Sequence, residues 1–283
     1  MKPDAQLSKQ FFEKNGFFVI KNCFSKKQCN ELKMAINENF SLPKKRLTQK
    51  DINRETFVEP DGVTKNKKIW NVIFNKRILK NVYALIGEKF CYTQHSDLHI
   101  NLGAGKFHRD NAFRTFNSGP DWEENIEPYK VLRVAIYLSD YKESGSSLTI
   151  FPKTNKYESR LNKIEFSFWN LIRSKWLKYF DKNKLPHIFF SNKMVKLKNN
   201  AGDCILFDQR IVHAGGCITG KFPKYSIFLS YGALNSHTYN HHKYYKERPT
   251  YLKIIPKELK KKLKENSLLL EPNFFLNEKK KKT

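Results

Sequence analysis

Two short segments carry side chains that could bind one metal ion together. His108 and Asp110 are two residues apart, so both side chains would point to the same face of an extended strand. His213 follows an apolar segment and precedes the small residues 214–216, which leave room beside its ring. Two histidines and one carboxylate form the facial triad that leaves coordination positions open on Fe(II). A zinc hydrolase could use the same ligands with water in an open position.

A lysine farther along the chain could complete such a site. Lys224 lies eleven residues after His213, at the start of a predicted strand. Open positions on the metal can take a bidentate keto acid and dioxygen, and the lysine could then bind the far carboxylate of that acid. Lys221 is an alternative for this role because it lies only three residues earlier. The set could therefore bind 2-oxoglutarate as a co-substrate.

Four segments occur in the order found in one known enzyme family. They are residues 15–20 (NGFFVI), 107–110 (FHRD), 131–155 (VLRVAIYLSDYKESGSSLTIFPKTN) and 213–216 (HAGG). They are similar to the family's opening dGyvvi, its WHxD motif, its strand with an acidic turn and a G-x-L-x-x-x-P-G-S-H run, and its distal histidine. The chain thus resembles the phytanoyl-CoA dioxygenase-like family of iron and 2-oxoglutarate oxygenases over roughly residues 10–232.

The resemblance implies a fold, cofactors and a reaction. The expected fold is mainly β with flanking helices (α+β), a double-stranded β-helix of jelly-roll or cupin-like type. The implied catalytic residues and metal ligands are His108, Asp110 and His213, with Fe(II), 2-oxoglutarate and dioxygen as cofactor and co-substrates. The implied reaction converts 2-oxoglutarate to succinate and carbon dioxide while a lipid, a sugar or another small biosynthetic intermediate is hydroxylated. Because related halogenases replace the carboxylate with a small residue, Asp110 favours hydroxylation or desaturation.

Three positions depart from the family pattern. The family usually has arginine where this chain has Lys224, which keeps the charge but not the bidentate fork. The Pro-Gly-Ser-His run is replaced by Pro-Lys-Thr-Asn at residues 152–155. Gly215 stands where a hydroxyl side chain is often found after the distal histidine. None of these changes removes a predicted metal ligand, but the first predicts weaker binding of 2-oxoglutarate.

Other polar residues on the predicted strands and turns could line the pocket. We predict contacts with the co-substrate from Lys224, Asn101, Thr149 and Arg133, and contacts with the substrate from Arg114, His95 and Arg210. For Arg210, at the end of a strand, a local salt bridge is the alternative. The histidines that follow the last core strand are predicted to lie at the surface, and these are His237, His241 and His242.

The predicted elements agree with a β-rich fold. Short apolar segments separated by Gly and Asn turns predict strands at 90–102, 131–138, 148–151, 194–197, 203–207 and 225–231. Helices are predicted at 26–39, with Ser25 as the N-cap, and at 76–87. The polar, turn-rich segment 41–68 is predicted to be a long surface loop.

A helical insert is predicted near residues 156–192. Apolar residues at helical spacing indicate a helix over 164–180, which also carries Arg173, Lys175 and Lys178. We interpret it as a cover over one sheet, and a lid or a membrane-surface helix is the alternative. The resemblance places this helix near the active-site entrance.

One oxygenase domain is expected over residues 1–251, followed by a basic helix and tail over 252–283. Residues 239–251 mix aromatic and basic side chains and are predicted to pack against the domain as an arm. No segment approaches the roughly 20 apolar residues of a membrane span, and the first residues lack the apolar stretch of a secretory signal. The five cysteines form no C-x-x-C pair, and we therefore expect a cytoplasmic protein.

The formal charge of +26 allows several partners. Only ten of the 53 basic residues are arginine, and lysine lacks the fork that reads nucleic acid, so compositional drift is the main interpretation. An anionic small-molecule substrate and peripheral contact with an anionic membrane stay open. Two other functions also stay open: a non-catalytic relative that only binds a ligand, and an oxygenase that acts on nucleic acid.

Overall fold

Two antiparallel sheets form the framework of the molecule. The computed structural model describes residues 5–103, 105–122, 127–179 and 193–271. The described strands are β1 (Phe17–Ile20), β2 (Phe57–Pro60), β3 (Phe90–Tyr92), β4 (Asp97–Ile100), β5 (Val131–Tyr137), β6 (Leu148–Phe151), β7 (Val195–Leu197), β8 (Cys204–Asp208), β9 (Val212–Gly215) and β10 (Tyr225–Ala233). The larger sheet has the order β1-β8-β5-β10-β4-β2, with β3 also paired to β10, and the smaller has the order β7-β6-β9.

Helices flank these sheets. The described helices are α1 (Ala5–Asn15), α2 (Lys26–Asn39), α3 (Gly62–Lys65), α4 (Lys76–Ile86), α5 (Tyr141–Ser144), α6 (Arg160–Tyr179), α7 (Ser236–Lys246) and α8 (Lys257–Glu265). A short 3-10 helix, Lys67–Val72, precedes α4. This mostly antiparallel framework with flanking helices agrees with the predicted jelly-roll class. Within the described residues, no helix has the length and apolar character needed to cross a membrane.

Alternation along the central strands gives the larger sheet two different faces. On β5, Leu132, Val134 and Ile136 pack in the cluster that includes the helices. Ala135 and Tyr137, on the same strand, pack instead with residues of β6 in the smaller sheet. Successive side chains of a strand point to opposite faces, so the second set looks into the space between the sheets. The candidate site lies in that space.

Local sequence signals were sufficient to predict helices α2 and α4. At the start of α2, the Gln28 N–H donates to Ser25 Oγ at 3.2 Å, and the Ser25 N–H donates to Gln28 Oε1 at 2.8 Å. This reciprocal pair is the capping box, and it confirms the predicted N-cap. The Asn75 side chain caps α4 by accepting from the N–H groups of Arg77 and Ile78. Both helices match their predicted ranges closely.

The prediction of a long surface loop over 41–68 is wrong in its second half. Strand β2 pairs with β4 at the edge of the larger sheet and ends at Pro60, a residue that an edge strand tolerates. Asp61 follows it with a φ of 56° and a buried carboxylate. That carboxylate accepts from Gln94 Nε2 at 2.8 Å and from the Leu252 N–H at 3.0 Å. Because these partners are distant in sequence, no local pattern around Asp61 predicts its burial.

Helix α7 packs two histidines against the sheet, so the predicted surface position of His237 and His241 is wrong. Both are buried, as is Tyr245, and four-residue spacing places all three on one helix face. His242 is half-buried, and its Nδ1 lies 2.9 Å from the Thr93 carbonyl oxygen. The predicted packing arm over 239–251 is thus a helix followed by a turn.

Part of the predicted tail packs into the main core. Leu259 and Leu263 of α8 are buried in the same cluster as the central strands, together with Leu268. The Tyr92 N–H donates to the Leu268 carbonyl at 2.9 Å, which ties this segment to β3. The domain boundary at residue 251 stays a prediction, and residues 272–283 lie outside the described part of the chain.

Helix α6 covers the smaller sheet. Phe166 is buried against Phe151 and against Val212 and Ala214 of β9, and Trp169 packs beside them. The Arg173 guanidinium donates to the carbonyls of Gly105 and Gly215 at 2.6 and 3.0 Å. The helix starts four residues earlier than predicted, and residues 180–192 of the predicted insert lie outside the described residues. Arg173 therefore ties the loop at Gly105 to the end of β9.

Candidate metal centre

His108, Asp110 and His213 converge in the structure. Asp110 Oδ1 lies 3.6 Å from His108 Nε2, and Asp110 Oδ2 lies 3.6 Å from His213 Nε2. One ligand atom from each residue lies within 4.8 Å of the other two, and this is the one group of metal-ligating side chains found among the described residues. Ligands that share one ion at about 2.1 Å lie roughly 3 Å apart at right angles. The three groups are therefore close enough for side-chain adjustments to bring one atom of each onto a single ion.

Backbone pairing brings the two histidines together. The N–H of each donates to the carbonyl of the other at 3.0 Å, although the ladder does not continue beyond this bridge. His213 lies on β9, whereas His108 lies in a loop that only touches the sheet here. The expectation that His108 and Asp110 share a regular strand is therefore wrong. Their side chains converge because this extended loop is held at both residues, with the Asp110 N–H donating to the Gln209 carbonyl at 2.7 Å.

Both imidazole rings are oriented for a metal. His108 Nδ1 lies 2.9 Å from the Lys106 carbonyl oxygen, and His213 Nδ1 lies 3.0 Å from the Ile211 carbonyl oxygen. A carbonyl only accepts, so in the neutral form of each ring Nδ1 carries the hydrogen and Nε2 keeps a free lone pair. Both lone pairs thus belong to the nitrogens that face Asp110.

The surroundings hold Asp110 in its charged form. Burial alone would raise the pKa of Asp110, but the nearby His213, Arg133 and His108 outweigh it and hold that pKa below its usual range. Arg133 Nε is 3.5 Å from Asp110 Oδ2. Burial also lowers the pKa of His213 to about 4, so this ring is neutral at neutral pH. A charged carboxylate and a neutral imidazole are the states that bind a divalent ion.

A cavity of about 450 Å³ opens beside the three residues. Its wall is built from the inward positions of the central strands, as strand alternation requires. These residues are Asp97 and His99 of β4, Arg133 and Tyr137 of β5, and Phe228 of β10. The volume is in the range of sites that take small organic ligands.

Lys224 is buried in this cavity without a carboxylate partner among the described residues. Its side chain is 4% exposed, and its Nζ donates to the Leu102 carbonyl at 2.7 Å. Burial lowers the pKa of Lys224 to about 8, and no nearby charge contributes to this shift. Lys221, the alternative, is exposed and does not line the cavity. Of the two lysines, only Lys224 could meet a ligand there.

Two further cavity residues were missed by the sequence analysis. The Tyr137 hydroxyl and His99 Nδ1 are buried and have no hydrogen-bond partner among the described residues. Lys224 Nζ lies 5.5 Å from the centre of the Tyr137 ring. A ligand carboxylate between these groups would satisfy the buried donors. Tyr137 could have been found from sequence, because it lies four residues after Arg133 on the same face of a strand.

The protein-family comparison agrees with this geometry. The family described as Phytanoyl-CoA dioxygenase (PhyH) matches residues 12–225. The chain belongs to this family. No curated protein sequence matches the chain significantly.

Solved structures with a similar fold include several iron enzymes. HygX from Streptomyces hygroscopicus, with nickel and 2-oxoglutarate bound, is 12% identical, and the match covers 80% of this chain and 86% of HygX with a TM-score of 0.58. The epimerase SnoN from nogalamycin biosynthesis is 12% identical over 81% of this chain and 83% of SnoN, with a TM-score of 0.54. The carbocyclase SnoK from nogalamycin biosynthesis is 13% identical, and the match covers 83% of this chain and 86% of SnoK with a TM-score of 0.53.

The predicted cofactors of this PhyH-family chain are consistent with these findings. HygX and SnoN structures contain iron and 2-oxoglutarate, and the group formed by His108, Asp110 and His213 could hold the metal. Fe(II) suits this donor set, because two imidazoles and one carboxylate leave positions open for further oxygen ligands.

The structure explains two departures from the PhyH pattern. A Cβ on Gly215 would lie 2.6 Å from the Gly103 carbonyl oxygen, so a hydroxyl side chain does not fit where that loop passes. In the altered run at 152–155, Thr154 Oγ1 accepts from the Val212 N–H at 2.9 Å. The Asn155 side chain donates to Asp208 at 3.0 Å. This run therefore ties β9 to its neighbours without touching the metal ligands.

The other predicted contact residues divide into two groups. His95, Arg114 and Arg133 line the cavity, whereas Asn101, Thr149 and Arg210 do not. Asn101 pairs with the Gln49 side chain and accepts from the Lys224 N–H, so it fixes the backbone of the lysine and does not contact a ligand in the cavity. Thr149 follows Leu148, which lines the cavity, and alternation turns Thr149 to the opposite face. Arg210 forms the alternative local salt bridge, with Asp208 at 2.9 Å.

The mouth of the cavity carries a cation that the sequence analysis did not single out. Arg248 lines the cavity after the end of α7, together with Thr250 and Tyr251. Its guanidinium lies over the Tyr245 and Tyr244 rings, 4.3 and 5.0 Å from their centres. These contacts hold the arginine in place without neutralising it.

Proposed function

We propose that this chain is an Fe(II)- and 2-oxoglutarate-dependent dioxygenase that hydroxylates a small, polar, anionic molecule. The observation that supports it most is one shared cavity. It holds the group of His108, Asp110 and His213 and, on the same wall, a buried Lys224 that lacks a carboxylate partner among the described residues.

In this proposal the inner end of the cavity receives the co-substrate. Lys224 binds the far carboxylate of 2-oxoglutarate, and the Tyr137 hydroxyl is a second donor to it. Fe(II) held by His108, Asp110 and His213 would supply the activation of dioxygen that oxidises 2-oxoglutarate to succinate and carbon dioxide and hydroxylates the substrate. The protein holds the three ligands on one side and encloses the site. Asp110, a carboxylate at this ligand position, favours hydroxylation over halogenation.

The charge of the lining supports an anionic substrate. Among the described residues, five cationic side chains line the cavity, and these are Lys106, Arg114, Arg133, Lys224 and Arg248. The carboxylates in this described part of the lining belong to Asp97 and Asp110. A divalent metal and the divalent 2-oxoglutarate cancel each other, so the positive excess remains for the substrate. The same polar groups favour a sugar or a polar biosynthetic intermediate over a long lipid chain.

Solved structures of two structural neighbours contain small organic compounds. One HygX structure contains hygromycin B, and one SnoN structure contains nogalamycin RO. At 12–13% identity these ligands are properties of those proteins. They support the proposal only in that proteins of this fold bind a small organic compound together with a metal and 2-oxoglutarate.

The decisive experiment measures succinate and carbon dioxide from 1-¹³C-labelled 2-oxoglutarate under air. The Fe(II)-loaded full chain is expected to form succinate slowly alone and faster with its substrate. Anionic sugars and biosynthetic acids form one test panel, and single-stranded and double-stranded oligonucleotides form another. Without succinate under any condition, the chain would be a ligand-binding relative. Stimulation by oligonucleotides alone would favour the nucleic-acid alternative.

Cellular location and domain organisation are part of the proposal. We expect a cytoplasmic enzyme, which is supported by five buried cysteines that form no disulfide. We expect residues 1–251 to form the oxygenase domain, with 252–283 as an extension that packs on it through Leu259 and Leu263. Oxygenase activity that survives removal of 252–283 would support this boundary.

A further inference from the structure

Three buried residues form a hydrogen-bonded chain that ends in the cavity. Asp121 Oδ2 lies 2.7 Å from His241 Nδ1, and His241 Nε2 lies 3.1 Å from His95 Nδ1. Asp121 and His241 are fully buried, and His95 is 5% exposed and lines the cavity. They come from three separate segments, so only the fold brings them together. We call these three residues the Asp121 relay.

The members of the relay are fixed in position. Both oxygens of Asp121 accept from the Ala112 N–H at 3.0 Å. His241 lies on the inner face of α7. The His95 ring stacks on the Tyr245 ring, with 3.6 Å between their centres and an angle of 18°. None of the three side chains needs to move to keep the chain of hydrogen bonds.

The order of donors along the relay follows from its carboxylate end. The Asp121 carboxylate only accepts, so the hydrogen of a neutral His241 lies on Nδ1. His241 Nε2 then accepts, and His95 Nδ1 must donate to it. The remaining nitrogen, His95 Nε2, keeps a free lone pair and has no hydrogen-bond partner among the described residues. The cavity therefore receives an acceptor.

Charged groups around His95 keep the ring neutral. Burial lowers the pKa of His95 well below its usual value, and the nearby cations Arg133, Arg248 and Arg114 act in the same direction. The Asp97 carboxylate is the opposing charge, with Oδ2 3.9 Å from His95 Nε2. That carboxylate is already engaged by the Arg133 guanidinium and by the Tyr251 hydroxyl. The lone pair on Nε2 is thus available to a ligand.

Arg133 connects the relay to the candidate metal centre. Its guanidinium donates to the His95 carbonyl and to Asp97, and its Nε lies 3.5 Å from Asp110. His95 lines the same cavity as the three metal ligands, so a substrate that fills this cavity can reach both the metal and His95 Nε2. With a hydroxyl on that substrate, the O–H is the natural donor to this nitrogen.

We infer that the Asp121 relay makes His95 the proton acceptor for a hydroxyl group of the substrate, which rests on the proposed function of the cavity. The O–H proton moves to His95 Nε2 as the Nδ1 proton moves to His241 Nε2. The product pair is an alkoxide beside Arg133 and a His241 imidazolium beside the Asp121 carboxylate. The O–H bond and the Nδ1–H bond break, two N–H bonds form, and no electrons leave the system. His95 touches the substrate, and His241 and Asp121 are positioning residues.

One isosteric substitution would reverse the relay. In Asp121→Asn, the amide oxygen can still accept from the Ala112 N–H, which leaves the NH₂ group facing His241 Nδ1. His241 must then carry its hydrogen on Nε2 and donate to His95 Nδ1. His95 Nε2 becomes N–H, and the cavity receives a donor in place of an acceptor. A merely structural contact would be unaffected by which nitrogen carries the hydrogen.

The first test reads the tautomer directly. Long-range ¹H–¹⁵N spectra of the full chain, loaded with diamagnetic Zn²⁺ and held at pH 8, report which ring nitrogen carries the hydrogen. His95→Gln assigns the His95 signals. We expect an unprotonated Nε2 in the wild type and a protonated Nε2 in Asp121→Asn. A wild-type His95 with its hydrogen on Nε2 overturns the inference, even if the variant fails to fold.

The second test uses diethylpyrocarbonate as the probe of the lone pair. This small electrophile acylates unprotonated imidazole nitrogens, and peptide mass spectrometry gives the rate for each histidine of the metal-loaded chain. We expect the rate at His95 to fall at least tenfold in Asp121→Asn, with His242 in the same digest as the reference. An unmodified His95 in the wild type, or equal rates in both proteins, overturns the inference. Neither test needs turnover, so failure of the proposed oxygenase function would be seen separately.

Discussion

Two parts of the cavity lining differ in how their polar groups are satisfied: the part around the metal ligands and Lys224, here called the inner end, and the part around His95, Asp97 and Arg248, here called the outer end. At the inner end, the lone pairs of His108 and His213 face Asp110, and Lys224 has no carboxylate partner among the described residues. At the outer end, Asp97 is bound by Arg133 and Tyr251, and His95 is bound by His241. The inner end lacks partners that a metal and a dicarboxylic acid would supply. At the outer end most of these groups are paired with one another, and His95 Nε2 and the Arg248 guanidinium are left for a ligand.

This difference indicates that the inner end binds the metal and the co-substrate, whereas the outer end orients the substrate. A buried charged group without a partner is costly in free energy, so the charged groups at the inner end restrict which ligands can bind there. The outer groups instead provide shape and orientation, and three of them, His95, Arg248 and Tyr251, lie in loops, which vary more easily than strands do. We therefore expect substitutions at the inner end to abolish function and substitutions at the outer end to alter its degree.

The largest effect is expected from loss of a metal ligand. His108→Ala should reduce iron-dependent succinate formation by more than about 100-fold, because even indirect partners of metal ligands contribute about 10- to 100-fold. The His108 side chain is 32% exposed, so its removal should leave the unfolding temperature nearly unchanged. His242→Ala, outside this cavity, is the matched control. Wild-type turnover in His108→Ala would disprove the metal assignment.

The next effect concerns the co-substrate cation. Lys224→Ala should raise the KM for 2-oxoglutarate about 10- to 150-fold, since a charge-assisted hydrogen bond contributes roughly 1.5–3 kcal/mol. Lys221→Ala, an exposed lysine three residues away, should leave the KM unchanged. Succinate formation at varied 2-oxoglutarate concentration measures both. The reverse result would transfer the role to Lys221.

A pH titration tests the role of the Lys224 charge without removing the side chain. The buried Lys224 has a pKa of about 8, so it loses its charge above that pH in the free enzyme. A bound carboxylate favours the charged form, and the dissociation constant of 2-oxoglutarate should therefore rise about tenfold per pH unit above pH 8. In Lys224→Arg the increase should disappear, because arginine stays charged. A steep increase that persists in this variant would point to another group.

The smallest effect is expected at the mouth. Inorganic phosphate serves as an anion probe, and Mn²⁺ in the metal site broadens its ³¹P signal when phosphate binds nearby. Arg114→Gln and Arg248→Gln should each weaken this binding roughly two- to fivefold, as expected for partly exposed charges. Lys243→Gln, which lies outside this cavity, is the control. Equal broadening in all four proteins would mean that the positive charge has no part in binding.

Much of the fold could be predicted because its signals are local. The helices α2 and α4 follow from capping residues and apolar spacing, and β5 follows from one run of apolar residues. The segment 41–68 was mispredicted because β2 is an edge strand whose pairing with β4 is its main stabilisation. The histidines of α7 were mispredicted because a polar side chain becomes a core residue only when a distant partner is available, as Asp121 is for His241.

The candidate site shows the same division. The sequence by itself determined the family, the three candidate ligands and the spacing from His213 to Lys224, because metal ligands are restricted to few residue types and strands place them at regular intervals. Only the tertiary structure decided that Lys224 rather than Lys221 is buried in the cavity, and that Arg248 lies at its mouth. It also decided the Asp121 relay, whose hydrogen bonds join residues 120 and 146 positions apart. Contacts of that length have no periodicity along the chain, since packing of the sheets and α7 alone sets which side chains meet.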